Sequence, residues 1–340
     1  MARPLRIEFP GAWYHVTSRG NERKSIFADD QDRRRFLEIL ASTVETYRVQ
    51  LHAYALMANH FHLLLVTSEA NLGSFMQRLN TAYTVYFNRR HRRVGHFLQG
   101  RYKAILIDAD SHLAEISRYV HLNPVRIKKY SRREIGFKKK VLSAYLWSSY
   151  PGYVSLTKRQ PFMSHDTVVS VVGGKDDVRG RRAYRDFVLG GIAKDMNITY
   201  WSEVRGQVVL GSDEFLEWIR EKILRKQAGK VAADKAYSGY GELLPRVDVP
   251  AIAGRVAELF EVEAEALLIK RSRHRQARRF LLGLCYDLLG GTMALAEIGQ
   301  ELGPVGAAAL CRNRVILQGE LKDNKKLSKK YSSVLRELRK

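Results

Sequence analysis

A chain of 340 residues can form two domains with a core each, and 45% hydrophobic with 27% charged residues is the balance of a globular protein in water. Its 58 Lys and Arg against 35 Asp and Glu leave a formal charge of +23, a self-repelling excess that calls for a polyanionic partner, nucleic acid ahead of an anionic membrane surface. With no apolar run of spanning length, no signal-peptide or lipidation pattern, and only Cys285 and Cys311, too few for a disulfide framework or a zinc site, the chain is expected to be cytoplasmic with reduced thiols.

In chain order, residues 12–18 predict a first strand, followed by a polar turn at 19–24. A helix is expected from about Asp30, with Asp29, Asp30 and Asp32 at its positive end and Phe36, Leu40 and Val44 as its apolar stripe. Residues 51–57 and His60–Val66 predict two strands joined by a tight turn at Ala58-Asn59, and a helix spans Leu72–Arg90. A strand over Tyr102–Ile107 precedes a helix at 111–123, capped by Asp110 or Ser111 and ended by Pro124. The order β-α-β-β-α-β is that of a ferredoxin-like four-stranded antiparallel sheet, and the helix at 111–123 is an addition that must pack near it.

On the strand beginning at His60, alternate side chains share a face, so His60 and His62 point the same way and can act as two ligands of one metal ion. A pair of ordinary strand histidines is the plain alternative. On the helix at 111–123, Leu113, Ile116 and Val120 make a packing stripe, while Tyr119 and Asn123 stand four apart and share another face. A half-buried tyrosine with a polar tip is the ordinary role for Tyr119.

Four blocks, HVTSRGNERKSIF (15–27), NHFHLLL (59–65), GHFLQGRYKAIL (95–106) and RYVHLNPVR (118–126), together resemble the single-tyrosine HUH transposases, and within them the REP-associated tyrosine transposases of bacteria. WSSYPGY (147–153) is similar to a stretch that follows the catalytic core in that group, and the resemblance covers roughly residues 10–155. It implies that Tyr119 is a covalent nucleophile and that His60 and His62 bind a divalent metal, completed by Asn123 where several relatives have glutamine. Two imidazoles and an amide suit Mg²⁺ or Mn²⁺ better than zinc. The implied substrates are single-stranded DNA and hairpins of repetitive palindromic elements, handled by a monomer as in the REP-associated group, with the dimer of relatives encoded by mobile elements, which exchange the tyrosine helix, as the alternative.

Basic residues lie where a DNA strand would pass: Arg19, Arg23 and Lys24 after the first strand, Arg89, Arg90, Arg92 and Arg93 closing the second helix, and Arg101 and Lys103 flanking Tyr102. Interleaved with Phe97 and Tyr102 they suit a groove that pairs phosphates and stacks bases, a solvated surface being the bland alternative.

Beyond residue 155, residues 156–245 predict a helical connecting region, with helices at Arg181–Ile192 and Ser212–Leu224 and a linker at Gly229–Pro245. A helical domain over 246–340 follows: a helix at Ile252–Phe260, the basic stretch 270–279 leading into Phe280–Leu289, and a helix-turn-helix from Met293–Leu302, a turn at 303–306 and Ala307–Gln318. Six of residues 270–279 are Lys or Arg and none is acidic, which points Lys270, Arg271, Arg273, Arg275 and Arg278 at phosphates. Over about 250–318 the region resembles the C-terminal DNA-binding domain of the replication initiator DnaA, departing at Val305–Ala309, where small apolar residues replace the polar recognition signature. The basic tail after Lys325 is expected to fray or to follow the DNA backbone.

The fold expected is therefore α+β, a ferredoxin-like HUH catalytic domain over 1–155 followed by an all-α C-terminal domain with a helix-turn-helix. The function expected is a site-specific, metal-dependent single-stranded DNA endonuclease and strand transferase, cytoplasmic and nucleoid-associated. The alternatives are a DNA-binding regulator with a relic catalytic core, and a rolling-circle replication initiator or relaxase.

Overall fold

The computed structural model describes residues 6–193, 202–224, 248–290 and 293–338, together with the paired segments Arg3–Pro4 and Tyr237–Ser238. Apart from Tyr237–Ser238, the predicted linker Gly229–Pro245 lies outside the described residues. The chain divides into two compact units, one of Met1–Leu224 with Asp234–Leu243 and one of Arg225–Ala233 with Leu244–Lys340. Among the described residues no helix is long and apolar enough to cross a membrane.

The first unit is built on β1 (Ala12–Arg19), β2 (Val49–Met57), β3 (His60–Thr67) and β4 (Lys103–Ile107), with α1 (Asp30–Thr46) and α2 (Leu72–Arg90) in the connections. The strands lie in the order β2-β3-β1-β4, all antiparallel, which is the ferredoxin-like arrangement. Alternation assigns the two faces. Phe61, Leu63 and Leu65 of β3 turn to one side, where Phe61 meets Phe36 of α1 at a ring distance of 4.8 Å. The same side holds Phe75, Leu79 and Tyr83 of α2. His60, His62 and Leu64 take the other side.

That other side is covered by α3 (Ala109–Leu122), whose Leu113, Ile116 and Val120 pack on Ala53, Ala55 and Leu64. The helix predicted at 111–123 thus closes the open face of the sheet. Its N-cap is Asp108 rather than Asp110 or Ser111, and the Asp108 carboxylate accepts from the Ser111 hydroxyl (2.9 Å) and the Ser212 amide (3.2 Å). Pro124 ends the helix at Leu122 and the chain turns through Asn123–Val125.

Three helices follow, α4 (Ile135–Ala144), α5 (Tyr150–Val154) and α6 (Asp166–Gly173), and then α7 (Val178–Ala193). β5 (Val209–Leu210) joins the sheet in parallel beside β4, and α8 (Asp213–Ile219) starts on Ser212, whose hydroxyl accepts from the Phe215 amide. Val168, Val169, Tyr184, Val188 and Ile192 share one core with Ile116, Val120 and Leu122 of α3. The first unit therefore extends past the expected boundary at 155, because α3 has two apolar faces and the sheet covers one.

His52 and His165 are buried in this unit, and burial pushes each imidazole down to about 4. A folded value below the unfolded 6.5 means the unfolded chain binds the extra proton first. The unit should be fully stable above pH 6.5 and lose up to ~3 kcal/mol per histidine as pH falls toward 4. Thermal melts across that range should show the midpoint falling, and His52→Gln should flatten part of the fall.

The second unit consists of α9 (Val249–Phe260), α10 (Ala264–Leu268), α11 (Arg275–Leu289), α12 (Leu295–Glu301), α13 (Ala307–Asp323) and α14 (Lys325–Leu338). Its core gathers Ile252, Val256, Leu267, Phe280, Leu281, Leu284, Ile298, Leu310 and Leu317. α12 and α13 form the predicted helix-turn-helix. The turn needs Gly303, at φ +75°, because a Cβ there would lie 2.0 Å from the Leu268 carbonyl oxygen. The tail does not fray as expected: Leu327, Tyr331 and Val334 of α14 enter the core, and the Tyr331 hydroxyl donates to Asp287 at 2.8 Å.

The basic stretch 270–279 divides on structure. Lys270, Arg271 and Arg273 lie exposed before α11, and Arg275 is exposed at its first position. Arg278, expected at DNA, is instead buried, its guanidinium donating to the carbonyls of Leu267 and, at 2.8 Å, of Leu302. Arg278→Met leaves two buried carbonyls unpaired, and full-chain calorimetry should show a loss of ~2–4 kcal/mol.

Candidate active site

The site lies on the α3 face of the sheet. Pairing of β1 with β3 sets Thr17 opposite His62 and Arg19 opposite His60, and Lys103 of β4 also pairs with Thr17. Directly paired residues share a face, so the two histidines, Arg19 and Lys103 are on one side. The rings of His60 and His62 lie 4.9 Å apart, centre to centre. Tyr119, half-buried on α3, presents its ring edge-on to His62 and to His15, each at 5.7 Å. The structure thus brings together His60, His62 and Tyr119, which the sequence separates by some 60 residues.

Both histidines are held in one setting by neighbours. The Asn59 amide nitrogen donates to the Arg23 carbonyl at 3.0 Å, which turns the Asn59 oxygen toward His60 Nδ1 at 2.7 Å. His60 Nδ1 must then carry the proton, leaving the lone pair on Nε2. His62 Nδ1 sits 2.9 Å from Nε2 of His15, a buried residue whose ring stacks on His62 at 5.1 Å. His62 Nε2 is itself buried with no hydrogen-bond partner among the described residues, so a proton there would be an unsatisfied donor. The better arrangement puts the proton on Nδ1, donated to His15, and a lone pair on Nε2.

Burial holds all three imidazoles neutral. It pushes His15 down to about 3 and His60 down to about 4, with the Arg19 cation adding to the second. Burial also lowers His62 strongly, reinforced by His15, His60 and Arg19. Neutral imidazoles, each with a lone pair on Nε2, are the form that binds a divalent cation, so these residues fit one. Among the described residues no three His, Cys, Asp or Glu side chains converge on one point, so further donors would be amide, water or substrate oxygens.

Asn123 sits at the C-terminal end of α3, where its Nδ2 donates to the Tyr119 carbonyl at 2.9 Å. That bond commits the nitrogen and leaves Oδ1 as its acceptor. After the turn at Pro124 the chain brings the Arg126 guanidinium back over the Tyr119 ring, at 6.0 Å. Neither Arg126 nor His15 nor Asn59 carries an assigned role in the sequence alone. His15 was open to discovery as a third histidine on an apolar strand; which atom it meets depends on the β1–β3 register.

The expected DNA contacts separate into exposed and committed residues. Arg19, Arg23, Arg89, Arg101 and Lys103 are exposed, and Lys24 is exposed in an ion pair with Glu22 (2.7 Å). Arg93 is half-buried against Phe97 and Phe87. Arg90, expected at DNA, is instead committed within the fold: it clamps the start of α1, pairing with Asp29 at 2.6 Å and with the buried Asp32. Phe97 is no base platform either, being buried and stacked on Phe87 at 4.3 Å. Tyr102 is half-buried, with the Arg6 guanidinium covering its ring at 4.5 Å.

Residues 9–123, about a third of the chain, match the family model of IS200-like transposases. The chain is also similar to a solved structure of a REP-associated tyrosine transposase bound to a REP hairpin, with 14% identity and a TM-score of 0.38, over 49% of this chain and 93% of that one. No match was found among curated proteins.

Proposed function

We propose that this chain, whose residues 9–123 match the family model of IS200-like transposases, cleaves and rejoins single-stranded DNA beside palindromic hairpins, with Tyr119 as the covalent nucleophile. The observation that carries the proposal is the placement of the Tyr119 ring edge-on to His62, on the one face of the sheet that holds both histidines. The resemblance of the four sequence blocks to REP-associated transposases supplies the hairpin, and the charge of +23 supplies the attraction to its phosphates.

In the proposed reaction the Tyr119 oxygen attacks a backbone phosphorus in line. The Tyr119 hydroxyl gives its proton to water as the new P–O bond to tyrosine forms and the bond to the 3′ oxygen breaks, and the leaving 3′ oxygen takes a proton from water, so that none is gained or lost overall. A second 3′-hydroxyl reverses the step on a new end, so no nucleotide triphosphate is consumed. His60 Nε2, His62 Nε2 and Asn123 Oδ1 would hold Mg²⁺ or Mn²⁺. When bound, that ion draws electron density from the non-bridging oxygens of the scissile phosphate. Arg19 and Lys103, on the same face, would hold the flanking phosphates, and His15 and Asn59 fix the two imidazoles. The test is incubation of labelled hairpin DNA carrying single-stranded flanks with protein and Mn²⁺, followed by a denaturing gel. A protein-linked band that disappears in Tyr119→Phe is expected. A chain that binds the hairpin and yields no such band is a regulator.

A further inference from the structure

We propose that α7 sets the position of the nucleophile, through a buried hydrogen-bonded chain in which Tyr184 and His121 are positioning residues for Tyr119; this rests on Tyr119 being that nucleophile. His121 is two residues from Tyr119, which on a helix turns it about 200° away, off the site and into the opposite side of α3. It is fully buried there. Its Nε2 lies 2.7 Å from the Ser149 hydroxyl and its Nδ1 2.7 Å from the Tyr184 hydroxyl. The Tyr184 hydroxyl donates to Ser117 at 3.1 Å, and the Ser117 hydroxyl donates to the Ala114 carbonyl at 2.6 Å. At the far end, the Tyr54 amide of β2 donates to Ser149 at 2.9 Å.

One assignment of protons satisfies the shorter links, the Ser149 hydroxyl preferring His121 Nε2 at 2.7 Å to the Tyr54 carbonyl at 3.4 Å. The Tyr54 N–H donates to Ser149, Ser149 to His121 Nε2, His121 Nδ1–H to Tyr184, Tyr184 to Ser117, and Ser117 to a carbonyl of α3 itself. The chain ties the sheet, the segment at 149, α3 and α7 to one another within an otherwise apolar core. A polar chain of this kind adds little net stability over apolar packing, but it accepts only one rotation and one register of the helix. Close packing reinforces that setting: a Cβ on Gly191 of α7 would lie 2.8 Å from Arg118, and the Arg118 guanidinium stacks on Phe187 at 4.2 Å. In-line attack is sensitive to displacements of about 1 Å, so a helix held this way has a kinetic consequence.

The experiment compares Tyr184→Phe with the double variant Ser117→Ala/Tyr184→Phe. The first removes one oxygen while keeping the ring against Tyr153 and Phe187, and the second also removes the Ser117 hydroxyl that this oxygen served, so that stability recovers only in part while His121 Nδ1–H stays without its acceptor in both. Covalent capture of hairpin DNA should slow roughly 10–100-fold in both, with the hairpin Kd and its salt dependence unchanged. In protein labelled with 3-fluorotyrosine, the ¹⁹F resonance assigned to Tyr119 should move in both variants. Rates that recover with the melting temperature, or a resonance that stays in place, overturn the inference. A wild-type protein that forms no adduct overturns the nucleophile reading instead, and the resonance still decides whether Tyr184 positions that ring.

Discussion

Tyr119→Phe is expected to abolish covalent capture of hairpin DNA, by a factor on the order of 10³ or more, and to leave hairpin affinity within about twofold. The substitution removes one oxygen. The ring that packs edge-on against His15 and His62 remains, as does the Arg126 guanidinium above it, so neither the helix nor the basic surface has reason to move. In the proposed reading affinity comes from exposed cations such as Arg19, Arg101 and Lys103, whose contribution should show as salt dependence and not pass through the phenol. Rate and affinity should therefore separate cleanly, the signature of a group used only in the chemical step. A labelled adduct that persists in Tyr119→Phe would assign the nucleophile to another side chain and remove the site described here from the reaction.

The parts of this molecule that were legible in the sequence are those set by local periodicity. The period-2 pattern of β3 places His60 and His62 on one face, and the period-3.6 pattern of α3 places Tyr119 and Asn123 on one side of a helix, before any coordinates. The strand order follows from the element order. What the pattern cannot carry is partnership across the fold. Arg90 and Arg278 look in sequence like their basic neighbours, but one meets the acidic start of α1 and the other two buried carbonyls. Phe97 sits among arginines in sequence and against Phe87 in space. The same holds for the region after 155: its helices read as connectors because the apolar face that they cover belongs to α3, more than 40 residues earlier. His15 gains its meaning only from the β1–β3 register, which sets its Nε2 against His62.

That register also governs the second large effect. Combining His60→Ala with His62→Leu should eliminate tight Mn²⁺ binding, measured by calorimetry and by the electron paramagnetic resonance of free Mn²⁺, and should reduce adduct formation by about 10³-fold or more. Leucine is chosen at 62 because that side chain is buried beside Leu64 and an alanine would leave a cavity. Hairpin binding without metal should survive, since neither histidine is charged at neutral pH and neither contributes to phosphate attraction. Asn59→Ala should act in the same direction but less, weakening Mn²⁺ about tenfold, because it leaves both donor nitrogens in place and removes only the oxygen that holds the His60 tautomer. The ordering is the discriminating feature: loss of donors outweighs loss of their support, and both outweigh loss of an exposed cation such as Arg89. If the double variant binds Mn²⁺ as tightly as the wild type, the cation sits elsewhere, and the two imidazoles beside Tyr119 serve the fold rather than the chemistry.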